Sequence, residues 1–186
     1  MRPVDPLLKE LKQRAADPER ANEGEQGTVA YPPASEAQIA AAQKALGFWL
    51  PPLLQEIYTT IGNGGFGPAY GLLGVAGGAT QEYGHNCVEL YEGFSKPDPA
   101  DPHWEWPAQL LPIGHLGCGM FACIDCSSPE GPMVWFEPNP HCRGEPWGDS
   151  FIPLAPSLRD WLEQWLAGKD MLEAAWTAKF GAGEDA

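Results

Sequence analysis

The amino-acid sequence predicts an α+β fold, in which one mostly antiparallel sheet has helices packed on one side. Two observations support this class. Apolar residues recur at helical spacing towards both ends of the chain, whereas the strand candidates lie in the middle. The strand candidates 119–126 and 133–137 are separated by residues 127–131, a turn-forming segment of sequence SSPEG that predicts an antiparallel hairpin.

Two helices are predicted before residue 50. The first begins at Pro6, and its apolar face consists of Leu7, Leu8, Leu11 and Ala15. Residues 17–28 follow as a mobile loop, because they combine proline, glycine and several charges. The second helix begins at Ser35, which has capping-box spacing to Gln38, and ends at Gly47.

Residues 50–74 predict a short helix, a glycine turn and a buried strand. The helix begins at Pro51, since proline is tolerated only in the first turn of a helix. Its apolar stripe consists of Leu53, Leu54, Ile57, Tyr58 and Ile61. The segment Gly62-Asn63-Gly64-Gly65 ends the helix, because glycine and asparagine accept a positive φ. The apolar residues 69–75 then predict a short strand.

A further amphipathic helix is predicted to reach Phe94. Its apolar face consists of Tyr83, Cys87, Leu90, Tyr91 and Phe94. Its other side carries an acidic ridge of Glu82, Glu89 and Glu92. A proline-rich surface loop over residues 96–107 and a strand over 110–113 follow.

The end of the chain predicts a loop and two further helices. Residues 139–148 form an irregular segment. The next helix is strongly amphipathic and carries Leu154, Leu158, Trp161, Leu162, Trp165 and Leu166. A last short helix contains Met171, Leu172, Ala175 and Trp176.

The stretch from residue 50 to 74 resembles the signature of the SUKH superfamily, the Smi/Knr-type domain. That signature combines a Leu-Pro start, a short helix, an Asn-Gly-Gly turn and a strand, and its residues here are Leu50, Pro51, Asn63, Gly64 and Gly65. Three later segments are similar to further parts of the family pattern. These are 119–125, which ends in Asp125, then 131–136, and then 152–158, which includes Pro156 and Ser157.

The resemblance covers about residues 35–167 in the expected order, and it implies a SUKH-like α+β fold. A chain of 186 residues is expected to form one domain. We therefore expect a single SUKH-like domain over 1–186 with its core at about 35–167. Residues 1–34 would add an N-terminal helix and loop, and residues 168–186 a C-terminal helical extension.

The charge of the chain excludes one class of partner and favours another. Eleven basic residues oppose 25 acidic ones, which gives a formal net charge of −14. Binding to nucleic acid through its phosphates requires the opposite sign, and an acidic surface also repels anionic membranes. The same charge attracts cationic proteins and accelerates their encounter. The simpler interpretation is that the charge only maintains solubility.

A cytoplasmic location is expected. No signal peptide follows Met1, and no run of apolar residues is long enough to span a membrane. The five cysteines are an odd number, which favours a reducing compartment over a disulfide framework.

Two motifs suggest cofactors, but their context argues against both. Residues 62–67 fit G-x-G-x-x-G, yet they follow a helix, whereas a dinucleotide site needs a preceding strand. The strongest metal candidates are Cys118, Cys123, Cys126, His141 and Cys142. Cys123 and Cys126, three positions apart on a strand, point to opposite faces, so a small buried side chain is the expectation for Cys123. No cofactor or metal is predicted.

Nucleophilic catalysis has little support in the sequence. There is no Gly-x-Ser-x-Gly motif, and the histidines His85, His103, His115 and His141 lie in different segments. A zinc- or triad-dependent enzyme is therefore the third-ranked hypothesis.

The resemblance implies a binding module without catalysis. Bacterial members of the superfamily are seen as cytosolic immunity proteins that neutralise a cognate toxin, whereas fungal relatives serve as scaffolds in cell-wall signalling. The favoured hypothesis is immunity by direct binding of a toxin, which we expect to be basic because many toxins are nucleases that hold phosphates. The alternative is a regulatory or scaffolding module in a signalling complex.

Charge placement and loop aromatics suggest the partner surface. The acidic candidates are Glu82, Glu89, Glu92, Asp125, Glu137, Glu145 and Asp149. The aromatic candidates are Trp104, Trp106 and Trp147, which are expected either to fold over the core or to anchor an interface. Asp125 has a simpler role as an acceptor of turn amide hydrogen bonds.

Overall fold

The computed structural model of the chain describes residues 5–23 and 29–181; part of the predicted loop, residues 24–28, lies outside this range. The described residues form the helices α1 (Pro6–Ala15), α2 (Glu36–Leu46), α3 (Pro52–Thr60), α4 (Cys87–Phe94), α5 (Leu158–Leu166) and α6 (Met171–Phe180). The strands are β1 (Leu110–Gly117), β2 (Met120–Asp125), β3 (Met133–Phe136) and β4 (Phe151–Ala155), and a 3-10 helix occupies Trp147–Ser150.

The four strands form one sheet in the order β1-β2-β3-β4, and all neighbours are antiparallel. The predicted α+β class and the predicted β2–β3 hairpin are therefore confirmed. A two-residue turn joins β1 to β2, and both of its residues, Cys118 (φ 50°) and Gly119 (φ 76°), are left-handed. Two left-handed central residues give the backbone twist that closes a tight hairpin.

Helices cover both faces of the sheet rather than one side alone. Phe121 and Phe136 are paired across β2 and β3, and both rings contact Phe94 of α4. The next row of paired residues points to the opposite face, because side chains alternate along a strand. In that row Trp135 lies 6.0 Å from the ring of Trp176 in α6.

The predicted starts of α1 and α2 are confirmed by their caps, and α5 is capped in the same way. The Asp5 carboxylate accepts a hydrogen bond from the Leu7 amide, and Ser35 and Gln38 form a reciprocal capping box. Ser157 caps α5 by accepting from the Asp160 amide at 3.0 Å. A side-chain oxygen in this position satisfies an amide that the first turn leaves free.

The Asn-Gly-Gly turn after α3 is held by Asn63, which is only 1% exposed. Its Oδ1 accepts from the Val75 amide at 2.9 Å, and its Nδ2 donates to the carbonyl oxygens of Val75 and Ala76 at 3.4 Å. Within the predicted capping segment, the positive φ values occur at Gly64 and Gly65.

The glycine-rich run 62–67 is a packed turn rather than an anion cradle. The amide of Gly65 donates to the Leu72 carbonyl at 2.8 Å, and that of Gly67 donates to the Ala21 carbonyl at 2.8 Å. The amide of Asn63 faces the carbonyls of Tyr31 and Pro32, both at 3.3 Å. These amides are already satisfied within the chain, so they do not point towards a phosphate group.

The strand predicted over residues 69–75 is reduced to a single bridge between Leu72 and Gly114 of β1. Gly71 has a φ of 94°, which interrupts the pleat, and the turn after α3 takes the hydrogen bonds of Leu72. The segment is buried as expected, but it is not a continuous strand.

Two predicted helices begin later than the sequence suggested. Asn86 caps α4, so Tyr83 lies in the preceding turn, where it is 78% exposed rather than buried on the helix. Leu154 belongs to β4 and not to the helix that follows, because α5 begins only at Leu158. Proline at 153 is compatible with β4, which is an edge strand of the sheet.

Candidate functional site

A groove lies between α4, the turn that precedes it and the sheet. It encloses a cavity of about 640 Å³. The lining residues are Gln81, Glu82, Tyr83, His85, Glu89, Leu90, Gly93, Phe94, His115, Cys118, Gly119, Phe121 and Phe136. They come from α4, from the turn before it and from the β1–β2 and β3 regions of the sheet, so only the folded chain assembles them.

The floor of the groove is apolar. Leu90 and Phe94 descend from α4, and Phe121 and Phe136 rise from the sheet. The Phe94 ring lies 5.6 Å from Phe121 and 4.6 Å from Trp106, which is buried directly behind it. Aromatic rings packed in this way form a stiff surface that can accept another apolar side chain.

One rim of the groove is acidic, and its geometry follows from the start of α4. Asn86 Oδ1 accepts from the amides of Val88 (2.9 Å) and Glu89 (3.2 Å), while Glu89 Oε2 accepts from the Asn86 amide at 2.9 Å. This capping box fixes the Glu89 carboxylate at the rim. Glu82 lies in the turn beside it and is exposed.

The opposite rim is formed by His115 of β1 and the turn residue Cys118. The His115 ring lies 5.1 Å from the ring of Tyr70 and 5.7 Å from that of Phe121. Burial against these rings lowers the pKa of His115, and the charge of Glu82 opposes the shift without overcoming it.

A second cavity of about 410 Å³ adjoins the groove. The two cavities share Gln81, Glu82, His115 and Cys118. The second one is lined by Tyr31 and by Tyr70, which is 50% exposed. No lysine or arginine is found among the lining residues that the structure describes for either cavity.

The structure brings only some of the predicted acidic residues together. Glu82 and Glu89 both line the groove, while Glu92 is exposed on α4 outside it. Asp125 lies at the C-terminal end of β2. Its carboxylate accepts a hydrogen bond from the Ser127 amide at 2.9 Å, as predicted for a turn residue. Glu145 is exposed in the loop before the 3-10 helix.

Two further acidic candidates have structural partners. Glu137 is only 7% exposed, and its Oε1 accepts from the amide (2.8 Å) and the Nδ2 (2.6 Å) of Asn139. The Nδ2 of Asn139 also donates to the Cys118 carbonyl at 3.2 Å, so Glu137 and Asn139 together hold the β1–β2 turn in place. Asp149 pairs with Lys179 of α6 at 3.2 Å. Glu137 is therefore not available at the surface.

The loop tryptophans fold onto the core. Trp106 is 7% exposed, and its indole N–H donates to the Leu110 carbonyl at 2.7 Å. Trp104 and Trp147 are half-buried, with their rings 4.8 Å apart, and Trp104 donates to the Phe94 carbonyl at 2.8 Å. Trp106 packs against Phe94 beneath the groove. Trp104 and Trp147 lie beside the groove, where their rings contact Phe94 and Phe136 respectively.

The two proline-rich loops are tied to each other. Trp147 donates its indole N–H to Asp101 Oδ2 at 2.8 Å, and this hydrogen bond is the main cause that lowers the pKa of Asp101. The His141 ring stacks on Trp147 with a centroid separation of 3.6 Å. These contacts fix the loops beside the groove, so the surface there has a defined shape.

The cysteines do not gather into a cluster. Cys123 is fully buried, as predicted for a small core residue, whereas Cys118 and Cys142 are exposed. Within residues 5–23 and 29–181, no group of three or more His, Cys, Asp or Glu side chains has a geometry that could hold a metal ion.

Sequence reasoning missed three aromatic members of the site, namely Tyr70, Tyr83 and His115. Tyr83 was assigned to the buried face of a helix. One signal could have corrected this, since Asn86 and Glu89 have the same capping-box spacing as Ser35 and Gln38. Nothing in the sequence indicates that Tyr70 and His115 meet, because their contact depends on how residues 70–73 lie along β1.

The fold and the groove define an α+β domain that presents a concave, acidic surface. The chain belongs to the SMI1/KNR4 family (SUKH-1), whose family model matches residues 33–164. This match confirms the resemblance to the SUKH superfamily that the sequence shows. A comparison with curated proteins gives no significant match. None of the helices in the part of the chain that the structure describes has the length and apolar character needed to cross a bilayer.

Proposed function

We propose that this chain is a non-catalytic, cytoplasmic immunity protein that neutralises a cognate basic toxin by binding it directly. Membership of the SMI1/KNR4 family supports the proposal, because the family includes immunity proteins. Binding that occludes a toxin requires no bond-making step from the immunity protein itself.

The observation that carries the proposal is the charge of the chain and its placement at the groove. The net charge is −14, and two carboxylates, Glu82 and Glu89, stand at a groove lined by no lysine or arginine among the described residues. A toxin that binds nucleic acid must itself be basic. Opposite charges steer the two proteins together and align them before contact.

The proposed partner surface is centred on the groove. Glu92, on the same helix, extends its acidic side, and Trp104, Trp147 and Glu145 extend it across the neighbouring loops. Asp125 and Asp149 lie away from the groove and would take part only with a large partner. Trp106 and Glu137 are buried, so we assign them a supporting role beneath this surface.

A growth-rescue experiment tests the proposal. The reading frames beside this gene are searched for one that encodes a basic protein, and that protein is expressed alone and together with this chain. We expect arrest of growth by the neighbour alone, normal growth with both, and a complex of the two purified proteins. Association should slow as ionic strength rises, because salt screens the attraction between them.

Stoichiometry separates binding from catalysis. If protection depends on binding, it should end once the toxin exceeds the immunity protein in molar amount. Protection by far less than an equimolar amount would indicate an enzyme, and persistent arrest would contradict the immunity role. A stable complex with a non-toxic signalling protein would instead favour the scaffolding alternative.

A further inference from the structure

The groove and the adjoining cavity together have the chemistry of a receptor for one kind of polypeptide segment. We infer that the groove and the second cavity bind a basic segment of the partner protein, an inference that rests on the proposed function. One apolar side chain of that segment lies on the aromatic floor, and an arginine beside it lies against the tyrosines of the second cavity.

The floor provides the apolar site. Leu90, Phe94, Phe121 and Phe136 form the apolar part of the lining of the cavity of about 640 Å³, which has room for a leucine or phenylalanine side chain. The partner's side chain would leave water for a surface that is already packed, so binding requires little reorganisation. Interfaces commonly depend on a single anchor of this kind in a well-packed pocket.

The rim determines the charge of the segment. Glu82 belongs to both cavities and Glu89 to the first, while neither cavity is lined by a described lysine or arginine. A lysine or arginine on either side of the apolar anchor would therefore meet carboxylates and no like charge. An acidic segment would be repelled, which gives the groove selectivity as well as affinity.

The second cavity favours arginine in particular. Tyr70 is half exposed, and Tyr31 lines the same cavity. A guanidinium group stacks on the face of an aromatic ring while its N–H groups remain free to bind a carboxylate, here that of Glu82. Lysine lacks the flat group required for this combination.

Gly93 allows the groove to be filled without disturbing the fold. It lies in α4, it lines the groove, and a Cβ added there would have no atom within 4 Å. The variant Gly93→Leu would place a side chain in the apolar site, and it would also favour the helix, since glycine is a poor helix former. The control Ala41→Leu adds a leucine to an exposed position of α2 that lines neither cavity.

The experiment uses the full chain and a synthetic peptide with arginines and lysines around one central leucine. Binding is measured by titration calorimetry and mapped by NMR chemical shifts. We expect shifts at Tyr83, Gly93 and His115. Changing the central leucine to alanine, or using Gly93→Leu, should weaken binding by about tenfold or more, the effect of losing one buried apolar side chain.

Charge is tested with a matched pair of reversals. Glu82→Lys should weaken binding of the basic peptide, whereas Glu10→Lys makes the same change at an exposed position of α1 that lines neither cavity and should have a smaller effect. A peptide with acidic residues in place of the basic ones should not bind. The inference is overturned if all variants bind equally, if the central leucine is irrelevant, or if the shifts map elsewhere.

The two proposals fail in different ways. If Gly93→Leu still neutralises the toxin and binds it as tightly as the unchanged chain, the groove is not the docking site, although the immunity role stands. If the peptide binds in the groove but the neighbouring protein is neither toxic nor bound, the immunity role fails and the binding chemistry stands. Self-association that buries the groove would overturn the inference in favour of a second copy of this chain.

Discussion

At the scale of single residues, two buried tryptophans differ in whether their indole N–H is satisfied. Trp106 donates to the Leu110 carbonyl at 2.7 Å, whereas Trp135 Nε1 has no hydrogen-bond partner among the described residues. Leaving a buried donor unpaired costs about 1–3 kcal/mol, and replacing it with an apolar group removes that cost. The two sites therefore form a matched pair, because both indoles are buried in the core.

The first prediction compares Trp135→Phe with Trp106→Phe. Each change removes similar apolar area, but only Trp106→Phe breaks a hydrogen bond and leaves a carbonyl without its donor. We expect both changes to lower the free energy of unfolding. The loss should be smaller for Trp135→Phe, and the two losses should differ by about 1–2 kcal/mol. Urea unfolding followed by circular dichroism measures both. An equal or larger loss for Trp135→Phe would indicate that its N–H is bonded in solution.

The second prediction concerns pH and His115. Burial lowers the pKa of His115 below its ordinary value of 6.5, so the unfolded chain binds a proton more readily than the folded chain. Neutral His115 therefore contributes to the stability of the folded chain. That contribution is fully present above pH 6.5 and is lost as the pH falls through the lowered pKa of the folded state. We expect His115→Gln to show a shallower loss of stability on acidification across that range.

The comparison uses urea unfolding at a series of pH values. Acidic residues also titrate towards low pH, so the difference between the two chains isolates the contribution of His115. The variant His103→Gln keeps His115 and removes an exposed imidazole instead, so it is the matched control. Identical profiles for His115→Gln and the unchanged chain would contradict the prediction.

Residue-level sequence patterns predicted local features better than distant contacts. The predicted cap at Ser35 depends on a side chain and an amide three positions away, and such spacing is visible in a sequence. The burial of Glu137 is different. Its carboxylate is covered because the loop after β3 folds back against the β1–β2 turn, a contact that no local pattern encodes.

At the scale of elements, the turn after α3 is determined by close approach of two backbones. A Cβ on Gly64 would lie 2.5 Å from the Leu72 carbonyl oxygen and 2.8 Å from the Gly74 amide nitrogen. Both of those atoms belong to backbone that Asn63 and the turn hold in place, so neither can move cheaply. The Asn-Gly-Gly signature thus reflects packing as well as a positive φ.

The third prediction separates those two reasons for glycine. Gly64 (φ 81°) and Gly47 (φ 79°) have nearly the same left-handed backbone, but a Cβ on Gly47 would have no atom within 4 Å. Gly47→Ala should cost about 1–2 kcal/mol from the left-handed conformation alone. Gly64→Ala has the same conformational cost and a further cost of about 1–3 kcal/mol from overpacking. Its midpoint of thermal unfolding should therefore be clearly lower than that of Gly47→Ala. Equal losses would show that the turn relaxes away from Leu72.

The elements that sequence reasoning missed share a physical cause. β4 contains Pro153, and the sequence pattern placed its Leu154 on the following helix. The segment forms a strand because β3 supplies hydrogen-bond partners at the edge of the sheet. Conversely, residues 69–75 have the composition of a strand but form one bridge, since the turn after α3 takes the hydrogen bonds of Leu72. Periodic helices were predicted well because their hydrogen bonds are local.

At the scale of the whole molecule, the segment after the family match is part of the fold. The match ends at residue 164, yet α6 packs on β4 and covers the face of the sheet that Trp135 occupies. The groove lies on the other face, between the sheet and α4. The sequence predicted an acidic surface at Glu82 and Glu89, but the groove itself required three separated segments to meet.

The last prediction follows from the net charge of −14. Excess like charge destabilises the compact state, because folding brings the charges closer together. Salt screens this repulsion, since the Debye length falls from about 30 Å at 0.01 M to about 10 Å at 0.1 M. The surface pairs Asp5–Arg159, Arg159–Glu163 and Asp149–Lys179 are weakened by the same screening, but pairs of this kind contribute only about 0–1 kcal/mol each.

Repulsion should therefore dominate, and sodium chloride over this range should raise the midpoint of thermal unfolding. A gain of about 1 kcal/mol corresponds to a rise of about 2–4 °C for a chain of this size. Potassium chloride at equal ionic strength is the control and should act identically, because screening does not depend on the cation. The variant Arg159→Gln, which removes the pairs of Arg159 with Asp5 and Glu163 and one positive charge, should show a larger rise. A midpoint that falls as salt is added would mean that attractive pairs outweigh the repulsion among the acidic residues.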